Sequence, residues 1–82
     1  MKAMIYQGDG AIGLASVDDP TLQSATDAIV HIDLTTICGS DLHILGGHVP
    51  TVTPGRVLGH EGVGTVVEVG AAVTGVAPGD KV

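Results

Sequence analysis

Glycine fills 13 of the 82 positions, spaced between short aliphatic runs, and this punctuation constrains the fold more than any other feature. Each glycine offers a corner that a side chain would obstruct, so the chain favours several short strands over long helices, as a small barrel or sandwich requires. The aliphatic runs agree. Ala28, Val30, Ile32 and Leu34 alternate with Ile29, His31, Asp33 and Thr35, the period of two of a strand with one buried face. The first set is expected to face the core, and His31 to be solvated.

Upstream, KAMIYQ and AIGLASV flank Gly8, Asp9 and Gly10 and read as a hairpin. The segment DDPTLQSATD reads as a loop. After the alternating strand Gly39 breaks the extended run, Ser40 is expected to cap a short helix through Leu45 with Asp41 in its first turn, and Gly46 and Gly47 stop it. HVPTVTPGR carries Pro50 and Pro54 and reads as an exposed loop that leaves His48 on the surface. Residues 62–69 alternate again, where Gly62 and Gly64 imply a bend or a close backbone approach, and PGDKV begins a further strand. The expected fold class is mainly β, with one short helix after Cys38.

Composition narrows the possibilities. Tyr6 is the only aromatic residue, so the core must be aliphatic. A chain this small buries only about 60 to 65 per cent of its unfolded surface, so that core is expected to be thin. Lys2, Arg56 and Lys81 face nine acidic residues, a formal charge of -6, which removes the cationic footprint a nucleic acid partner needs. No apolar run approaches a membrane span, and MKAMIYQGD is too short for a signal peptide. A soluble protein without a membrane or nucleic acid partner is expected. The single Cys38 cannot form an intrachain disulfide, which suits a reducing, cytoplasmic compartment.

The stretch LGHEGVG sets His60 and Glu61 among small residues, and zinc is commonly held by thiolate, imidazole and carboxylate. Cys38 and His60 are of the right types, but only the fold could bring them together. A set of Cys38, His43, His48 and His60 has no short ligand spacing in its favour, and side chains at 38 and 43 are expected on opposite sides of the strand-to-helix junction.

The whole pattern is more specific. Gly59, His60, Glu61, two residues, Gly64, five residues, Gly70, two residues and Val73 resemble the zinc-containing signature of the medium-chain dehydrogenase/reductase family, and CGSDLH at 38–43 resembles the first metal segment of that family. The resemblance spans residues 1–82 and implies the N-terminal portion of a GroES-like catalytic domain, here a partial GroES-like barrel, from a zinc-dependent alcohol dehydrogenase. It implies that Cys38 and His60 are zinc ligands, that Glu61 is a carboxylate able to approach the metal, and that Asp41 accepts a hydrogen bond from the other ring nitrogen of His60. It makes Ser40 the hydroxyl that contacts the substrate. His43 becomes the next group of a proton relay, reached through the cofactor ribose.

The implied reaction oxidises an alcohol to an aldehyde or ketone with hydride transfer to NAD or NADP. Zinc can lower the pKa of bound water from about 15.7 to about 7, on the order of 12 kcal/mol, against roughly 3 to 5 kcal/mol for a positioned base. The metal therefore dominates and the relay assists. The sequence departs from the family in having neither a third ligand of the expected kind nor a nucleotide-binding domain with a G-x-G-x-x-G turn among its 82 residues. These residues alone are thus expected not to turn over alcohol, and unpaired strand edges are expected to favour a homo-oligomer or self-association. The competing class is a non-enzymatic GroES-like β-barrel assembly module.

Overall fold

Asp9 and Gly10 both adopt positive φ, 51° and 76°, as in the two-residue type I′ turn whose twist matches that of paired strands. The computed structural model, which describes residues 1–82, shows this turn joining β1 (Lys2–Gly8) to β2 (Ala11–Ser16) at the expected hairpin. The strands pair antiparallel from Lys2↔Ser16 to Gly8↔Ala11, with an irregularity between Tyr6 and Gly8. Three further elements follow: β3 (Ala28–Thr35), α1 (Gly39–Leu45) and β4 (Gly62–Val69). The chain is mainly β with one short helix, and no helix is long and apolar enough to cross a membrane.

Two compact units result, Met1–Asp18 with Thr36–Glu61, and Asp19–Thr35 with Gly62–Val82. In the first, the free edge of β1 is occupied by residues 55–58. Gly55 N–H donates to Tyr6 O at 2.7 Å, Tyr6 N–H to Arg56 O at 2.9 Å, and Leu58 N–H to Met4 O at 2.9 Å. This ladder delivers the chain to His60. Tyr6 is the buried apolar residue of this unit, so the core is as thin as the composition implies.

The helix begins earlier than the sequence suggests. Cys38 is the N-cap in extended conformation, and Asp41 Oδ2 accepts the Cys38 N–H at 3.0 Å. A carboxylate at the third helical position reaches back to the residue three before it, so Asp41 selects Cys38 as the cap. Ser40 is left inside the first turn. At the other end Gly46 is the C-cap and Gly47 has φ of 77°. Gly47 N–H donates to Ile44 O at 3.1 Å and His48 N–H to His43 O at 3.0 Å, the paired bonds of a Schellman motif.

In the second unit β3 and β4 pair antiparallel, with register shifts between Ile29 and Val30 and between Ile32 and Leu34. Strict alternation fails here. Ile32 and Leu34 are 52% and 71% exposed, whereas Ile29 and Val30, neighbours in sequence, are both half-buried. A bulge adds a residue to one side of a pair and turns the following side chains, so the face expected to be buried is lost beyond Val30. The core lies on β4 instead, at Val66, which is 1% exposed. The close approach implied by the glycines is present, since a Cβ on Gly64 would collide with the His31 carbonyl. Residues 80–82 run along β4, with Gly64 and Val82 exchanging N–H···O bonds of 2.9 and 3.0 Å, as expected of a strand beginning there.

Candidate metal centre

Two short segments of the first unit build the site. Cys38 and Asp41 come from the start of α1, and His60 and Glu61 from the end of the ladder beside β1. Thr36 N–H donates to Glu61 O at 3.2 Å and fastens the segments together. As a result one ligand atom each from Cys38, His60 and Glu61 lie within 4.8 Å of one another. Tetrahedral zinc with bonds of about 2.0–2.3 Å holds its ligand atoms roughly 3.5 Å apart, so side-chain adjustments of about an ångström close the set.

Asp41 supplies the second observation. Its residue is 9% exposed, and with Oδ2 taken by the Cys38 N–H, Oδ1 is buried without a hydrogen-bond partner. An unsatisfied buried acceptor costs roughly 1–3 kcal/mol, and more when charged. The group facing it is His60 Nδ1, at 3.7 Å. A small contraction gives an Nδ1–H···Oδ1 bond and leaves Nε2 of His60 as the bare nitrogen, the arrangement a metal-binding imidazole needs. The donor types, their convergence and the orphaned carboxylate oxygen fit zinc.

Residues 24–82 match the family described as the alcohol dehydrogenase GroES-like domain. The chain belongs to this family. An alcohol dehydrogenase of Cupriavidus necator is 45% identical over 82 residues, which cover all of this chain and 22% of that protein. The solved structure of zinc dependent alcohol dehydrogenase 2 from Streptococcus pneumonia superposes with a TM-score of 0.93 at 51% identity, covering 99% of this chain and 23% of that one. A protein of Sinorhizobium meliloti 1021 described as a zinc-binding dehydrogenase and bound to NADP gives 0.85 at 39% identity, covering 98% and 23%. The chain therefore spans about a fifth of the length of these relatives.

Within this GroES-like chain the other residues singled out in the sequence separate. Ser40 stays with the ligand group, Cys38 S–H donating to its Oγ at 3.7 Å. His43 and His48 form a pair of their own, with Nδ1 atoms 3.4 Å apart, so the four-residue Cys-His₃ set is divided. Neither exposed loop character nor helix-surface position predicts that pair. The signal was present in HILGGH, which spaces two histidines at the contact positions of a glycine-stopped helix.

His31 is solvated, as expected, but not alone. Its Nδ1 lies 3.2 Å from Asp33 Oδ1. That hydrogen bond, together with the charge of Lys81 and weaker hydrogen bonds from Lys81 and Thr65, holds the Asp33 carboxyl below the usual carboxylate range despite partial loss of hydration. Lys81 Nζ donates to Thr65 Oγ1 at 2.6 Å and to Asp33 Oδ2 at 3.4 Å, clipping the C-terminal residues to both strands of the second unit.

Proposed function

We propose that this chain contributes zinc ligands and proton-handling groups to an NAD- or NADP-linked dehydrogenase that oxidises an alcohol to an aldehyde or ketone. The convergence of Cys38, His60 and Glu61, with Asp41 Oδ1 turned towards His60, carries this reading. Cys38 Sγ, His60 Nε2 and the Glu61 carboxylate would hold the metal. Catalytic zinc keeps three protein ligands and an open position, alcohol dehydrogenases being a known instance, and supplies a Lewis acid that lowers the pKa of a bound hydroxyl.

The chain's own groups handle the proton. Asp41 accepts from His60 Nδ1 and so fixes the tautomer that exposes Nε2. Ser40, adjacent to the Cys38 sulfur, orients the substrate hydroxyl and accepts its proton as it passes on its own. His43 is exposed at the far end of the same helix and hands protons to solvent, a task suited to an imidazole. A thiolate ligand also needs a reducing compartment, in keeping with the cytoplasm.

Metal stoichiometry and affinity of the full chain test the site. Near-stoichiometric zinc is expected for the wild type, with a thiolate charge-transfer band when cobalt replaces zinc. Cys38→Ser should abolish the band and His60→Ala should lose most of the metal. Full zinc retention in a folded Cys38→Ser variant would overturn the reading.

A further inference from the structure

The sequence HILGGH ends α1 with two histidines at the positions that a Schellman motif brings into contact. His43 is the third residue from the helix end and His48 the second beyond its cap, their backbones joined by the His48 N–H to His43 O bond of 3.0 Å. An apolar pair usually occupies these two positions. Here two imidazoles do, and both are exposed, so solvation alone would leave them free to turn apart.

Distances decide what joins the rings. Their centroids are 5.7 Å apart and their Nδ1 atoms 3.4 Å apart. The difference of 2.3 Å between those separations is about one ring radius on each side, so the two nitrogens meet head-on along the line between the rings. A bound cation would need each nitrogen about 2.0–2.1 Å away, roughly 4 Å between nitrogens in this alignment. The distance alone would suit two ligands of a tetrahedral metal, but nitrogens aimed at each other along one line leave no room for an ion between them. This alignment at 3.4 Å fits a long N–H···N hydrogen bond.

We propose that His48 is a positioning residue for His43: the two rings share one Nδ1 proton, which locks them in opposite tautomers. Each neutral imidazole carries a single N–H. The ring that donates from Nδ1 therefore presents a bare Nε2, while its partner, accepting at Nδ1, carries the proton on Nε2. One ring of the pair is thus always ready to accept a proton at its outer nitrogen and the other to release one. A proton taken up at the first Nε2 is balanced by passage of the shared proton from the first Nδ1 to the second, and by loss of the second Nε2–H to water. The value of this to proton transfer rests on the relay role proposed for His43; the tautomer lock does not.

Ring ¹⁵N spectra of the full chain test the lock, recorded about two units above the ordinary histidine pKa of about 6.5 so that both rings are neutral. Opposite tautomers are expected for His43 and His48. His48→Leu should return His43 to a mixed population, and His48→Gln, which retains a hydrogen-bonding group, should restore a single one. The same dominant tautomer on both wild-type rings, or a His43 spectrum unmoved by His48→Leu in a chain of unchanged circular dichroism, would overturn the proposal. Failure of the relay reading is distinguishable: it would appear as unaltered turnover when His43→Gln is made in a complete dehydrogenase that contains these residues, whatever the tautomers.

Discussion

Asp41 Oδ1 faces His60 Nδ1 across 3.7 Å, while the other oxygen of the same carboxylate closes the helix start by accepting the Cys38 N–H at 3.0 Å. One buried side chain thereby controls both segments of the metal centre. Asp41→Asn keeps the shape and an acceptor for the Cys38 N–H but removes the carboxylate charge from His60. Zinc affinity should fall about 10- to 100-fold with little loss of helix, as measured by chelator competition alongside circular dichroism.

Gly47 sits at φ of 77° and Gly46 at -73°, so the two adjacent glycines respond differently to a methyl group. Gly47→Ala should cost about 1–2 kcal/mol through left-handed strain, or roughly 4–8 °C in Tm per kcal/mol for a domain of this size. Gly46→Ala, in ordinary helical conformation, should change stability by about 0.5 kcal/mol or less. Thermal unfolding of the two variants in parallel checks the contrast.

Gly64 has no room for a side chain because its Cβ would meet the His31 carbonyl, whereas a Cβ on Gly62 would meet the movable tip of Ile32 at 3.0 Å. Gly64→Ala should therefore destabilise the β3–β4 pair by about 3 kcal/mol, the upper part of the usual overpacking range, and Gly62→Ala by about 1 kcal/mol or less. Amide exchange at Val30 and Val66 would report the difference.

Asp33 predicts a pH effect in the same pair. Its carboxyl is held below the ordinary value by the His31 hydrogen bond first, and then by Lys81 and Thr65. A carboxyl depressed in the folded chain contributes stability that is fully present above the unfolded pKa of about 3.9 and is lost as pH falls through the lower folded value. Replacing it by Asn should flatten the acid limb below about pH 4, as followed by urea unfolding across a pH series. An unchanged acid limb would remove Asp33 from the account.

Local rules made much of this architecture legible. The Asp9–Gly10 turn and the glycine stop after Leu45 depend on neighbours within a few residues, which a sequence displays, while Gly64 and the PGDKV run marked by residue type where a close approach and a further strand would fall. The buried face of β3 did not follow, because bulges depend on what the partner strand offers. Ser40 is not the cap for a related reason: serine suits a cap by type, but the backbone N–H that Asp41 reaches belongs to Cys38.

The amino-acid pattern alone determined that this is a glycine-punctuated, aliphatic, mainly β chain containing the Cys38 and His60 segments of a dehydrogenase signature, since residue type and spacing are local properties. Tertiary structure decided that Cys38, His60 and Glu61 converge and that Asp41 keeps a buried oxygen for His60. Convergence of distant segments is set by the ladder along β1 and the Thr36–Glu61 bond. No periodicity encodes such long-range geometry.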